Sequence, residues 1–298
     1  MSCGQIALNR AGIHYDKYYA SEIDKYAIKV TQHNYPNTIQ LGDVTQIRHT
    51  DLPQIDLLMG GSPCQGFSFS GKQLNFNDPR SKLFFEFSRL VQECHPKYWF
   101  LENVIMKKEF EHVITDHLGV EPVMINSALV SAQNRKRLYW ANFSITQPFD
   151  KGLKLTDVLD NIEMIGPGAV RGRRLSKGAI VGRKIDLNGH RQDYSKEIPI
   201  SQYLEVRAVN RDKSNCLTTV AKDNVLTTLP AGRYLFEKIL PYRYYTIREY
   251  CKLQTVPENY FEGVSLTDIQ IRKMIGNGWT VDVIVHILKG LLDNSSNF

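Results

Sequence analysis

The sequence predicts an α/β fold in which helices cover both faces of a sheet, accompanied by a smaller, β-rich lobe. Three features of the 298-residue chain support this prediction. The first half alternates short apolar segments with amphipathic helical segments. From Ser144 to about Arg243 the chain is rich in Gly, Arg and Lys and lacks a long helical period. Helical periodicity resumes after Tyr245, so we expect the C-terminal stretch to return to the first part.

The predicted domain boundaries follow these changes in pattern. We expect a first domain over residues 1–143, a small lobe over 144–243 and a C-terminal segment, 244–298, that packs on the first domain. Strands that alternate with helices usually lie parallel, so the first domain should contain a parallel sheet. Its predicted strands are Tyr18–Ala20, Ile55–Met59, Tyr98–Leu101, Val123–Ile125 and Leu138–Ala141. The predicted helices used below are Gln5–Arg10, Pro79–Cys94 and Val281–Leu292.

The composition excludes two classes of protein. With 42% hydrophobic and 23% charged residues, the chain resembles ordinary globular proteins rather than disordered ones. No segment reaches the roughly 18 apolar residues that a membrane span requires, and no secretory signal opens the sequence. We therefore expect a cytoplasmic, reducing location. The five cysteines lack the close spacing of zinc or redox motifs, so neither disulfides nor a structural metal is expected.

The positive charge is concentrated in one segment. The formal net charge is +6, and residues 165–215 hold eleven Lys or Arg against five Asp or Glu, an excess of six. Such a segment can neutralise phosphates and orient a nucleic acid. Charge alone does not distinguish this from a solvated basic face.

A cysteine follows the second predicted strand in a loop suited to a nucleophile. The segment Gly60–Ser68 reads GGSPCQGFS, and its glycines and proline would present Cys64 rigidly. Ligands of open α/β sheets bind at the carboxyl ends of strands, where this loop lies. Cys94, by contrast, belongs to an apolar helical stripe. Taken alone, Cys64 is compatible with an inert loop cysteine.

Two further clusters favour a catalytic reading. Glu102-Asn103-Val104 ends the strand Tyr98–Leu101, so its carboxylate should lie at the same sheet edge as Cys64. Gln133, Arg135 and Arg137 alternate at the start of a strand and are expected to share one face. A thiol, a carboxylate and guanidinium groups are thus predicted to converge, although each could be structural on its own.

In this order, the motifs resemble those of the cytosine carbon-5 DNA methyltransferases of bacteria and phages. The resemblance extends over nearly the whole chain. Its catalytic motifs are Pro63-Cys64-Gln65, Glu102-Asn103-Val104 and Gln133-x-Arg135-x-Arg137. Its other motifs are Ala20-Ser21-Glu22-Ile23, Gly42-Asp43-Val44, Asn215–Val220 and Gly276–Val281. Leu83–Phe87 and Lys273–Asn277 are similar to the branch that includes the animal de novo enzymes.

The resemblance implies a Rossmann-like, S-adenosylmethionine-dependent methyltransferase fold with a mixed sheet, plus a target-recognition lobe. Cys64 would add to carbon 6 of cytosine, Arg135 would favour its thiolate, and Glu102 would bind the ring; Asn103 and Arg137 complete the expected catalytic set. The expected cofactor-binding residues are Ser2, Cys3, Gly4, Glu22, Ile23, Asp43, Val44, Pro63, Leu83, Asn277, Gly278 and Trp279.

The implied substrate is a cytosine flipped out of duplex DNA. The expected DNA contacts are Gln65, Ser68, Arg171, Arg173, Arg174, Arg183, Lys184, Thr218 and Thr219. Two alternatives stay open: methylation of transfer RNA, and a catalytically silent DNA-binding relative. A monomer is expected, acting in a bacterial or phage-infected cell, with or without a cognate restriction endonuclease.

The family's first strand and its Phe-x-Gly-x-Gly loop have only a partial counterpart here. Met1-Ser2-Cys3-Gly4 corresponds to the end of that motif. We expect the true start to lie upstream of Met1; the alternative is a truncated chain with a compromised cofactor site.

Overall fold

The computed structural model describes residues 1–62, 83–160, 176–192, 194–206, 212–236 and 240–295, with side chains to residue 292. The chain forms two compact units. The first unit comprises residues 1–130, 135–150 and 280 onward, and the second unit comprises 131–134 and 151–279. We expected the chain to return to the first domain at residue 244, whereas in the structure it returns to the first unit at residue 280.

The first unit contains most of the α/β elements. Its helices are α1 (Cys3–Ala11), α2 (Lys25–Asn34), α3 (Leu83–Cys94), α4 (Lys108–Leu118) and α8 (Val281–Ser295). Its strands are β1 (Tyr19–Ala20), β2 (Ile39–Gln40), β3 (Leu57–Gly61), β4 (Tyr98–Val104), β5 (Val123–Asn126) and β6 (Lys136–Ala141). The start predicted for α3, Pro79, lies outside the described residues. Among the described helices, none combines the length and apolarity needed to cross a membrane.

The sheets of the first unit are mixed rather than parallel throughout. β1 pairs with β2 in parallel, and a second sheet has the strand order β3-β4-β6-β5. β3 and β4 are parallel, whereas β6 runs antiparallel to both β4 and β5. The strand and helix pattern predicted a parallel sheet, and this prediction is wrong for β6. The reason is that β5 and β6 follow each other without an intervening crossover helix, so β6 returns antiparallel.

The core beneath the second sheet depends on a glycine in β3. Phe84, Phe87, Trp99, Leu101 and Trp140 are among its buried residues. A Cβ atom at Gly60 would lie 2.4 Å from Cδ2 of Phe87, so the absence of a side chain lets this ring pack on the strand.

Local capping explains several helix ends. Asp24 accepts hydrogen bonds from the backbone N–H groups of Tyr26 and Ala27 at the start of α2. α1 and α4 end at Gly12 and Gly119, both in the left-handed conformation that glycine adopts without strain.

The second unit is built on an antiparallel sheet. Its strands are β7 (Ser176–Arg183), β8 (Ser201–Val206), β9 (Val225–Thr227), β10 (Gly232–Leu235) and β11 (Tyr242–Tyr244), in the order β10-β8-β7-β9-β11. Its helices are α5 (Leu155–Val158), α6 (Ile247–Leu253) and α7 (Asp268–Asn277). Ile180, Leu204, Val206 and Val225 form its buried cluster.

Buried polar bonds explain why residues 244–279 belong to the second unit. Glu249 of α6 accepts two hydrogen bonds from Arg243 of β11, at 2.7 and 2.8 Å. Gln254, which follows α6, accepts a hydrogen bond from Gln133 and donates to the carbonyl oxygen of Ile275 in α7. These groups are buried, so separating α6 and α7 from β11 would leave polar atoms unsatisfied.

Candidate active site

Glu102 lies at the carboxyl end of β4 and is held by an arginine. Its side chain is buried, with 8% of the residue exposed. Strand β6 runs antiparallel to β4 and places Tyr139 directly opposite Glu102. Arg137, two residues earlier on β6, lies diagonally across and its Nε is 2.9 Å from Oε1 of Glu102. The strand pairing thus brings together two residues that the sequence predicted to converge.

Tyr139 is a site residue that the sequence analysis missed. It is almost fully buried and shares a sheet face with Glu102 and Arg137. Burial raises the pKa of the Tyr139 phenol, and the negative charge of Glu102 raises it further against the opposing charges of Arg137 and Arg135. The phenol therefore stays protonated beside the carboxylate. Only the strand register reveals this position, because apolar core residues flank Tyr139 in the sequence.

Arg135 precedes β6 and is fixed through its backbone. Its N–H donates to Oδ1 of Asn126 at 3.0 Å, and its carbonyl oxygen accepts from the Ser127 N–H. Its side chain is buried. Asn126 was not predicted from the sequence, where nothing distinguishes it from other residues at strand ends.

Neither Gln133 nor Arg135 lies on the strand that carries Arg137, so the expected strand through all three residues was wrong. β6 begins only at Lys136, and Gln133 belongs to the second unit, where it forms a bridge with Ser214. Its side-chain amide accepts from the Leu217 N–H at 2.7 Å and donates to the Leu253 carbonyl oxygen at 3.0 Å. These bonds make Gln133 a structural connector within the second unit.

Asn103 connects β4 to the strand end that precedes the predicted nucleophile. Its side chain lies on the face of β4 opposite Glu102. Its Nδ2 donates to Oγ of Ser62 at 2.8 Å, and its Oδ1 accepts from the Val104 N–H at 2.8 Å. Ser62 was not predicted as a site residue. Cys64, with Pro63, Gln65 and Ser68, lies outside the described residues.

Two predicted cofactor motifs lie side by side. β1 and β2 are parallel neighbours, and the Ser21 hydroxyl after β1 donates to the Gly42 carbonyl oxygen after β2 at 2.8 Å. Glu22 and Asp43 therefore emerge from the same edge. Oε1 of Glu22 accepts hydrogen bonds from the backbone N–H groups of Ile23 and Asp24. Oδ1 of Asp43 accepts hydrogen bonds from the backbone N–H and the hydroxyl group of Thr45.

The remaining cofactor residues of the first unit differ in exposure. Ile23 is 75% exposed beside Glu22, whereas Ser2, Cys3 and Gly4 are buried. A Cβ atom at Gly4 would lie 2.5 Å from the Tyr18 hydroxyl and 2.8 Å from Cε of Met59, so α1 starts in close contact with Met59 of β3 and with Tyr18, which precedes β1. Val44 and Leu83 are partly exposed.

The third cofactor motif and the predicted threonines meet in the second unit. Asn277 ends α7, and Gly278 and Trp279 follow it. A Cβ atom at Gly276 would lie 2.2 Å from the carbonyl oxygen of Thr218, so α7 packs directly on that backbone. The Thr218 hydroxyl donates to Asp223 at 2.6 Å, whereas Thr219 is exposed.

The two predicted DNA contacts Arg183 and Lys184, together with Arg233, have intramolecular bonds. Arg183 of β7 donates to Glu205 of β8 through Nε at 3.1 Å, and Arg233 of β10 donates to the same carboxylate at 3.2 Å. The Lys184 ammonium group donates to the Ser195 carbonyl oxygen. The predicted contacts Arg171, Arg173 and Arg174 lie outside the described residues.

Sequence comparison identifies relatives along the whole chain. A family model described as C-5 cytosine-specific DNA methylase matches residues 2–293. The chain is 28% identical over 305 residues to the type II methyltransferase M1.ScrFI of Lactococcus lactis subsp. cremoris, covering 92% of this chain and 72% of the relative. It is 29% identical over 325 residues to M.Eco47II of Escherichia coli, covering 95% of this chain and 76% of the relative. Its match to the orphan methyltransferase M.SPRI of Bacillus phage SPR is 36% identical over 151 residues, covering 45% and 34%.

Solved structures share the fold at low sequence identity. A DNMT2 mutant of Spodoptera frugiperda superposes with a TM-score of 0.66 at 19% identity, covering 97% of this chain and 96% of that chain. The Entamoeba histolytica methyltransferase EhMeth superposes with a TM-score of 0.66 at 16% identity, covering 98% and 95%. Because the family model spans nearly the whole sequence, the chain belongs to the C-5 cytosine-specific DNA methylase family.

Proposed function

We propose that the chain is a DNA (cytosine-5-)-methyltransferase. It would transfer a methyl group from S-adenosylmethionine to carbon 5 of a flipped cytosine within a specific duplex sequence. Besides membership of the family, the observation that carries this proposal is the pairing of buried Glu102 with Arg137 at the end of β4. A buried carboxylate held at a strand end can bind the ring edge of a cytosine.

The proposed chemistry begins with a thiolate. Carbon 5 of cytosine is a weak nucleophile, so the Cys64 thiolate would add to carbon 6 and break the double bond between carbons 5 and 6. Glu102 would accept hydrogen bonds from the exocyclic amine and from the proton that N3 gains as negative charge develops on the ring. Carbon 5 would then bond to the methyl group while the bond between that methyl group and the cofactor sulfur breaks. A base would next remove the proton from carbon 5, the double bond would form again, and the thiolate would leave. No side chain is assigned to this base.

The first-unit residues fit the cofactor. S-adenosylmethionine, when bound, would supply the electrophilic methyl group. Glu22 and Asp43 offer carboxylates at adjoining strand ends, as ribose hydroxyls and an adenine amino group require. Ile23 presents an exposed apolar side chain next to Glu22 in the sequence, which suits one face of a base. Ser2, Cys3 and Gly4 of the first unit are proposed to hold the methionine portion.

We assign DNA recognition to the lobe at residues 144–243, because the positive excess of the chain falls within it. Arg183 and Arg233 share one carboxylate, so phosphate could draw either guanidinium away from Glu205. The proposed partner is duplex DNA, bound by a monomer in the cytoplasm of a bacterial or phage-infected cell. M.Eco47II is named a type II methyltransferase and M.SPRI an orphan methyltransferase, so a cognate restriction endonuclease is left open for this chain.

Methyl transfer from labelled S-adenosylmethionine to matched duplex DNA and transfer RNA tests the proposal. Label is expected in cytosine of DNA and not in RNA. Label confined to RNA would replace the DNA assignment with an RNA one. DNA binding without labelling of either substrate would indicate a silent relative.

A further inference from the structure

Arg89 on α3 makes a concentrated set of bonds to the loop that follows β2. Its Nη2 donates to the carbonyl oxygens of Ile47, at 2.9 Å, and Val44, at 3.3 Å. Its other nitrogens donate to Glu86 at 2.9 Å and Glu93 at 2.7 Å. The two glutamates orient the guanidinium so that Nη2, which also lies 2.8 Å from Oε2 of Glu86, donates to the two backbone carbonyl groups.

These carbonyl groups belong to the segment that begins with Asp43. Residues Val44–Gln46 form a short 3-10 turn, which Asp43 caps by accepting from the Thr45 N–H. The start of this segment is bonded to the end of β1 through Ser21 and Gly42. Arg89 holds its other end, where Ile47 is buried. The turn is therefore fixed at both ends, by different elements.

α3 also carries Leu83, the proposed apolar wall of the adenine site. Asp43 and Val44 form the facing part of that proposed site. The side chain of Arg89 joins the helix carrying Leu83 to the turn carrying Val44. Without these bonds, the turn could shift while the hydrophobic core of α3 stayed in place.

We propose that Arg89 is a positioning residue for cofactor binding. By holding the turn Val44–Gln46 against α3, it sets the distance between the two sides of the adenine site. This inference rests on the proposed use of S-adenosylmethionine at Asp43 and Val44. Arg89 acts through the backbone of the turn and takes no part in methyl transfer.

The test substitutes Arg89 in the full chain. Arg89→Met keeps an unbranched apolar side chain similar to the arginine stem and removes its donors, and Arg89→Lys keeps the charge. Arg48→Met is the matched control, because Arg48 lies in the neighbouring segment and its bonds go to Asp51 at the surface. The measurements are calorimetric titration with S-adenosylmethionine, steady-state kcat and KM for DNA and cofactor, and the thermal midpoint.

Arg89→Met should raise the Kd and KM for S-adenosylmethionine about tenfold, as expected from losing one net charge-assisted hydrogen bond. At saturating cofactor, kcat and the KM for DNA should stay within about twofold of wild type, because neither depends on the turn. Arg89→Lys should give a smaller rise, and Arg48→Met should match wild type.

Two results would overturn the inference, and only one of them would also reject the proposed cofactor. If wild type binds S-adenosylmethionine and both Arg89 variants bind it equally well, Arg89 has no positioning role but the proposed function stands. If Arg89→Met is unfolded, Arg89→Lys decides by the same criterion. If folded wild-type protein does not bind S-adenosylmethionine, both the inference and the proposed cofactor are wrong.

Discussion

At the scale of single residues, the arrangement around Glu102 results from strand pairing. β6 runs antiparallel to β4, so Arg137 reaches Glu102 diagonally while Tyr139 lies directly opposite. The sequence predicts that Glu102 and Arg137 meet, because both belong to recognisable motifs. It does not predict Tyr139, since a tyrosine among core residues carries no functional signal.

Removing Arg137 should impair chemistry more than folding. In Arg137→Met, Glu102 loses the guanidinium that orients it, and kcat should fall about 100-fold or more, as for other preorganised electrostatic groups. Single-turnover methylation of duplex DNA measures this fall, and Arg137→Lys should recover part of it. A kcat within twofold of wild type in Arg137→Met would show that Glu102 needs no orientation by Arg137.

The Ser62 hydroxyl should matter for the nucleophile two residues later. Ser62→Ala removes the acceptor of the Asn103 side chain and leaves that buried amide without this bond. The single-turnover rate should fall about fivefold, the equivalent of about 1 kcal/mol, with the KM for cofactor unchanged. Ser62→Thr retains a hydroxyl and should restore most of the rate. Equal rates for the alanine and wild-type proteins would contradict this role.

At the scale of secondary-structure elements, periodicity predicted whether a segment is a helix or a strand better than it predicted which elements that segment packs against. The strand over Tyr98–Leu101 was correctly predicted and extends to Val104, and the C-terminal helix begins at Val281 as predicted. The alternation at Gln133 suggested a continuous strand, but the chain changes units between Asn134 and Arg135. Such a change depends on tertiary hydrogen bonds from Gln133, which no local pattern encodes.

The contact between α7 and the threonine segment gives a test at this scale. Gly276→Ala places a methyl group 2.2 Å from a backbone oxygen, which cannot rotate away as a side chain can. We expect a loss of about 1–3 kcal/mol in the free energy of unfolding, despite the better helix propensity of alanine.

Gly290→Ala in α8 is the matched control. The nearest atom to its added Cβ would be the Ser144 carbonyl oxygen at 3.7 Å, an ordinary contact. This substitution should leave stability unchanged or raise it by up to about 1 kcal/mol. Urea denaturation measures both variants. Equal stabilities for the two would contradict the close approach of α7 to Thr218.

At the scale of the whole molecule, the sequence located the positive excess but not its internal bonds. Residues 165–215 contain the surplus, yet Arg183 is paired with Glu205 across two strands. Sequence distance hides this pairing, because it arises only when β7 and β8 align in register. The domain boundary at residue 244 was similarly placed by helical periodicity, which does not reveal the buried bond between Arg243 and Glu249.

These pairs predict how stability depends on pH. Partial burial raises the pKa of Glu205, but the bonds and charges of Arg183 and Arg233 outweigh it and lower the pKa below the ordinary 4.5. Burial also raises the pKa of Asp160, but the hydrogen bonds from Thr246 and Lys252 outweigh this effect. The pKa of Asp160 is therefore lowered below 3.8. Groups with lowered pKa values stabilise the folded state above their ordinary pKa, and this stabilisation is lost as pH falls.

The free energy of unfolding should therefore decrease as the pH falls from about 5 towards 3. Urea denaturation at several pH values checks this, with Glu205→Gln as the comparison. The variant should be less stable near neutral pH and should show a shallower decrease in acid. An identical slope in the two proteins would mean that Glu205 contributes nothing to acid unfolding.

The most direct test of the proposed mechanism is covalent trapping on duplex DNA containing 5-fluorocytosine, where proton removal from carbon 5 is blocked. In the presence of S-adenosylmethionine, the wild-type chain should form an adduct that survives denaturation, and Cys64→Ala should form none. An adduct of equal yield in Cys64→Ala, or none with a wild-type protein that methylates ordinary duplex DNA, would contradict nucleophilic attack by Cys64.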